Sequence, residues 1–152
     1  IVLQNNPDAK IYTNRGVGMI LKKESIVYEL LEQGQSAESA GFLIEGVGSG
    51  EKALKIIQKL INEEIETPSA IILDILLPGI SGMEILREIR KYKKFNKIPV
   101  IMFTNLSSDE FMEEVRRTEN TEYILKMDAT PDQLVEIVRN KIKQAEVLYN
   151  DK

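Results

Sequence analysis

The chain has 152 residues, 43% hydrophobic and 29% charged, with a formal charge of −4 from 20 basic and 24 acidic side chains. This is globular composition for one domain, and at this size folding buries roughly 70% of the unfolded surface, so a core needs neither disulfide nor metal. Cysteine and histidine are absent, which excludes disulfides, Cys/His zinc sites, thiol nucleophiles, His-based triads and a phospho-accepting histidine.

Residues 1–16 do not fit any alternation of strands and helices. Ile1 to Leu3 and Lys10 to Thr13 are short and polar-flanked, an extra strand or an arm, so 1–16 is set apart as an extension without assigned role and 17–152 as the domain. Val17-Gly18-Met19-Ile20-Leu21 is a first apolar strand, and Ser25 caps a helix carrying Ile26, Val27, Leu30 and Leu31. Gly34 to Gly41 reads as a loop, and Phe42-Leu43-Ile44 as a second strand that ends in Gly46-Val47-Gly48-Ser49-Gly50. The next helix shows Leu54, Ile57 and Ile61 at helical spacing, with Ile56 and Leu60 beside them.

Ala70-Ile71-Ile72-Leu73-Asp74-Ile75-Leu76 is the clearest strand. It is apolar on both faces apart from one aspartate, which suits a parallel strand covered by helices on both sides. Pro78 and Gly79 break it, and Ser81 with Glu84 has capping-box spacing before Ile85, Leu86 and Ile89. Pro99 to Thr104 is the fourth strand, followed by Ser107 and Glu110 as a second capping box ahead of Phe111, Met112 and Val115. Tyr123 to Lys126 is the fifth strand. Thr130, Pro131 and Gln133 then open a helix with Leu134, Ile137, Val138, Ile142 and Ala145 on one stripe.

Five strand–helix units predict a doubly wound α/β domain with a parallel sheet and helices on both faces. Ligands of such sheets sit beyond the carboxyl ends of the strands. That points to Lys22, Lys23, Asp74, Thr104 and Lys126. A carboxylate in an apolar strand costs several kcal/mol if charged and unpaired. Asp74 therefore either caps the turn that follows it or does chemistry, and an aspartate carboxylate can attack phosphorus to form an acyl phosphate. Taken alone, Lys126 reads as a snorkelling surface lysine and Thr104 as an ordinary β-branched strand residue. Beside a phosphoryl group, one supplies a point charge and the other a hydroxyl.

In order and spacing, residues from about 18 to 145 resemble a response-regulator receiver domain of two-component signalling. Leu73-Asp74-Ile75-Leu76-Leu77-Pro78-Gly79-Ile80-Ser81-Gly82 is similar to the family's segment around its phospho-acceptor aspartate, with Thr104 and Lys126 following at the family's spacing. The resemblance implies a five-stranded sheet in the flavodoxin-like order 2-1-3-4-5, Asp74 as phospho-acceptor, Thr104 as switch hydroxyl and Lys126 as phosphate-binding lysine. It also places Tyr123 at the family's switch aromatic, although simple strand packing accounts for that residue equally well.

Two positions depart from the family. Receivers end strand one with two acidic residues that help hold Mg²⁺, and here the pair falls on Lys22 and Lys23, leaving Glu24 as the one acid of that loop. Magnesium wants carboxylate oxygens, and an ammonium supplies none and repels the ion. The metal site is therefore expected to be absent or very weak, with Lys22 or Lys23 pairing with Asp74 across the switch point. The second departure is Met127, where receivers commonly carry proline after the lysine.

Gly46 to Lys52 fails the phosphate-loop pattern, because Glu51 separates Gly50 from Lys52. Arg87 to Lys97 reads as a solvated basic helix end. The mildly acidic balance makes direct nucleic-acid binding a poor fit. No apolar run approaches the ~20 residues of a membrane span. The expectation is a cytoplasmic, non-enzymatic receiver that works as a protein-interaction module, with no cofactor and with Mg-dependent phosphorylation impaired or lost. The alternative is a working receiver phosphorylated on Asp74 by a histidine kinase, with Mg²⁺ as cofactor. Partners would be a kinase, an output domain or a second copy. They would meet the face of the fourth helix, fifth strand and fifth helix, through Phe111, Met112 and Tyr123.

Overall fold

The structure is a computed structural model that describes residues 10–14, 36–39 and 42–150. Its strands are β1 (Lys10–Asn14), β2 (Ser36–Ser39), β3 (Phe42–Val47), β4 (Ala70–Leu73), β5 (Val100–Thr104) and β6 (Thr121–Leu125). The helices are α1 (Gly50–Ile61), α2 (Gly82–Arg90), α3 (Asp109–Arg117) and α4 (Pro131–Asn150), with a 3-10 turn at Lys93–Phe95. One six-stranded sheet runs in the order β2-β3-β1-β4-β5-β6. Every pairing is parallel except β2 with β3.

Two expectations are corrected. Lys10–Asn14, within the extension, is the strand that lies between β3 and β4, with Ile11 opposite both Ile44 and Ala70, while the Val17–Leu21 run lies outside the described residues. Ile11, Tyr12 and Thr13 are β-branched or aromatic and suit a strand. The residues 17–35, with Lys22, Lys23, Glu24 and the expected Ser25-capped helix, lie outside the described residues. The loop reading of Gly34 to Gly41 is corrected: Ser36–Ser39 forms an antiparallel edge strand along Phe42–Glu45. Its composition carries no strand signal. The ladder offered by β3 supplies what propensity does not.

The remaining elements follow the sequence closely. Ser81 and Glu84 form the full capping box of α2, and Thr130 and Gln133 exchange reciprocal hydrogen bonds at the start of α4. The cap of α3 is Ser108, which accepts from Phe111 N, so the cap lies one residue beyond the expected Ser107 and, with Phe111 at the third position, is a single cap rather than a box. This register turns Val115 inward, where it is buried. In α1 the buried stripe is Ala53, Ile57 and Leu60 rather than Leu54, Ile57 and Ile61.

All of β4 and β5 is buried. Ile71, Leu73, Val100 and Met102 pack in one cluster with Ala53, Ile57 and Leu60 of α1, the buried residues of α2, and Val115 of α3. Ala70, Ile72, Ile101 and Phe103 are as deeply buried outside that cluster. Strand alternation puts them on the opposite face. The long helix α4 packs on β4 and buries Leu134, Val138, Ile142 and Ala145. At about 0.8 kcal/mol per buried methylene, these two apolar layers dominate the stability of the domain.

Candidate functional site at the carboxyl ends of β4, β5 and β6

β4 ends at Leu73, so Asp74 is the first residue beyond the ladder. It is only 8% exposed, too buried for a bare carboxylate. Both oxygens are engaged. Oδ1 accepts the Leu76 amide at 3.0 Å, and Oδ2 pairs with the Lys126 ammonium. The turn-capping role expected of Asp74 and its ion pairing therefore coexist on one carboxylate. Lys126 leaves β6 directly and its Nζ stands 5.8 Å from the Phe103 ring centroid, over its face. The ring holds the lysine stem toward Asp74 and attracts the cation.

Thr104 closes β5 and is fully buried. Its carbonyl accepts the Lys126 amide at 2.8 Å, and its Oγ1 accepts the Leu106 amide at 3.2 Å. The Tyr123 hydroxyl donates to the Leu106 carbonyl, and burial raises its pKa above the ordinary tyrosine value. Asp74, Thr104 and Lys126 are thus brought together on three adjacent strand ends, and Leu106 is held through its amide by Thr104 and through its carbonyl by Tyr123 from the middle of β6. Sequence reading gave no role to Phe103 or Leu106, because nothing in composition distinguishes them from core and loop residues.

Glycine sets the floor of the site. A Cβ on Gly82 would stand 2.1 Å from the Asp74 carbonyl oxygen, and one on Gly50 2.0 Å from that of Ile80. Gly79 between them has φ +74. These contacts bring the starts of α1 and α2 against the loop behind Asp74. Gly82→Ala should cost about 2 kcal/mol, since the neighbour that must move is backbone. Equilibrium urea unfolding checks this through a lowered midpoint at constant slope.

Phe111, Met112 and Tyr123 are half-buried on α3 and β6. The large apolar side chains that stand open are others, among them Leu76 at 59% and Met127 at 85%, both beside the Asp74–Lys126 pair. The basic stretch is not a free patch. Arg87 pairs with Glu114, Lys91 with Glu88 and Lys94 with Glu63, while Arg90 turns inward. Among the described residues, no cluster of three Asp or Glu side chains is arranged to hold a metal, and no helix is long and apolar enough to cross a membrane.

A parallel α/β sheet with a carboxylate, a hydroxyl and an ammonium on adjacent strand ends defines a class of single-site signalling domain. The family model for the response regulator receiver domain matches residues 17–139, and the chain belongs to that family. It is 29% identical over 120 residues to the phosphate regulon transcriptional regulatory protein PhoB of Rhizobium meliloti, covering 78% of this chain and 48% of that protein. It is 31% identical over 102 residues to the alkaline phosphatase synthesis transcriptional regulatory protein PhoP of Bacillus subtilis, covering 67% of this chain and 37% of the relative. The chain thus spans about half or less of these curated relatives. Among solved structures, a CheY-like receiver domain protein from Methanospirillum hungatei superposes with a TM-score of 0.64 at 23% identity, covering 91% of this chain and 96% of that one. A receiver domain protein from Clostridium thermocellum gives 0.66 at 24% identity, with 92% and 98% covered. Both likenesses concern the fold.

Proposed function

We propose that this receiver acts as a protein-docking module in which Mg-dependent phosphorylation of Asp74 is impaired. The observation that carries the reading is the state of the carboxylate, whose two oxygens are already taken by the Leu76 amide and Lys126. A receiver-type Mg²⁺ needs further oxygen ligands close by. The strand beside β4 ends at Asn14 and is followed in sequence by Arg15. The segment that resembles strand one of the family ends in Lys22 and Lys23. Under either alignment the residue types at the sequence positions of the family's acidic pair are neutral or cationic, and such side chains supply no carboxylate to Mg²⁺. Treatment with acetyl phosphate and Mg²⁺ should leave Asp74 unmodified in intact-mass and peptide analysis. A stoichiometric phosphoryl adduct on Asp74 would refute the reading.

A second reading keeps a working phospho-acceptor, fed by a histidine kinase and using Glu24 for the metal. Its support is the convergence of Asp74, Thr104 and Lys126 on neighbouring strand ends. Under this reading a Mg²⁺ titration would saturate, and it would lose its effect in Asp74→Asn. Docking is proposed to use α3, β6 and α4 through Phe111, Met112 and Tyr123, in the cytoplasm. The partner is a protein: a kinase, an output domain or a second copy. Relatives named as transcriptional regulators favour the output domain.

A further inference from the structure

Helix α3 is held differently from its neighbours. α2 buries Gly82, Met83, Ile85, Leu86 and Ile89, whereas α3 buries Val115, with Phe111 partly covered. Burial of apolar area is what normally seats a short helix on a sheet. Nine residues with so little of it need another anchor. Glu113 makes its ion pairs inside the helix, with Arg116 and Arg117. Glu114 reaches outside, to Arg87 on α2, through two parallel bonds of 2.7 Å from Nε and Nη2. The Thr118 hydroxyl closes onto the Glu114 carbonyl at 2.7 Å, which fixes the backbone at the same point. The shared hydrogen bonds raise the Arg87 pKa and lower that of Glu114, so the two shifts agree.

We propose that the Arg87–Glu114 fork is an electrostatic lock that keeps α3 seated, and that opening it releases the helix carrying Phe111 and Met112 without unfolding the domain. The pair is partly solvent-exposed, with side-chain exposures of 52% and 32%. A lock of this kind is weak enough to open and sensitive to ionic strength. A partner that offers its own charge to Arg87 or Glu114 competes for the same fork and frees the apolar residues beside it. The lock is a property of the chain alone and holds whether or not Phe111 and Met112 are a docking face.

Amide hydrogen exchange on the full chain tests this without a partner. Glu114→Gln and Arg87→Gln should each speed exchange of the α3 amides about threefold, leaving α2 and β5 unchanged. The double variant should match either single one, because both break the same bond. Raising salt from roughly 0.1 M to 1 M, which shortens the screening length from ~10 Å to ~3 Å, should speed α3 exchange in the parent and not in the double variant. Unchanged α3 exchange, an equal rise over the whole domain, or additive effects in the double variant would each overturn the lock.

Discussion

Arg90→Met should destabilise the domain by about 3 kcal/mol. The guanidinium leaves the end of α2 and donates to the carbonyls of Phe95, Ile98 and Asn120 at 2.8, 2.9 and 3.0 Å, with Thr121 Oγ1 at 3.2 Å. It ties the 3-10 turn and the entries to β5 and β6 to one point. Burial lowers its pKa to about 10, so it remains a cation at neutral pH. Methionine fills much of the volume but strips the Ile98 carbonyl of the guanidinium donor and leaves the Phe95 and Asn120 carbonyls with only the Ile98 and Val100 amides. A buried acceptor so orphaned costs about 1–3 kcal/mol, and the lost charge-assisted bonds to the other oxygens add to it, offset in part by relief of the desolvated charge. Arg90→Lys retains the charge without the planar fork and should fall between. Urea unfolding gives both values, and a loss below about 1 kcal/mol for Arg90→Met would show the knot to be incidental.

Lys126→Met is expected to cost about 2–3 kcal/mol. Asp74 and Lys126 have side-chain exposures of 11% and 14%, so removing the ammonium strands a carboxylate that water barely reaches. The reverse truncation, Asp74→Asn, keeps an oxygen for the Leu76 amide and lets the lysine swing outward past Met127. It should cost about 1 kcal/mol or less. The double variant Asp74→Asn with Lys126→Met should recover most of the larger loss, because the stranded charge is gone. Chemical denaturation of all three variants checks the cycle. Equal losses for the two single variants would mean that solvent, rather than the partner, satisfies the carboxylate.

The sequence announced most of this domain through apolar runs and caps. β4 and β5 are near-continuous apolar segments that only a doubly covered strand explains, and Ser81–Glu84 and Thr130–Gln133 fix two helix starts to the residue. The carboxylate, hydroxyl and ammonium were legible because each is a polar residue at the end of an apolar strand. Other features depend on contacts far apart in the chain. β2 exists because β3 offers it a ladder, and Ser36–Ser39 carries no apolar pattern to reveal it. Arg90 looked like one more cation in a basic stretch, since nothing local tells an inward guanidinium from an outward one. Adjacent serines at 107 and 108 give two cap registers, and only the burial of Val115 chooses between them.

The polar strand β2 also bears on how the sheet ends among the described residues. An uncovered strand is a template on which another chain can grow, and short, charged margins are poor templates. Among the described residues β2 is one margin of the sheet, and Ser-Ala-Glu-Ser, four residues long and carrying Glu38, is a poor template for growth. The opposite margin is β6, with Tyr123, Ile124 and Leu125, shielded partly by the 2.8 Å Lys141–Glu122 bridge from α4. Aggregation of a partly unfolded molecule should therefore be directional, beginning at β6 once α4 lifts away.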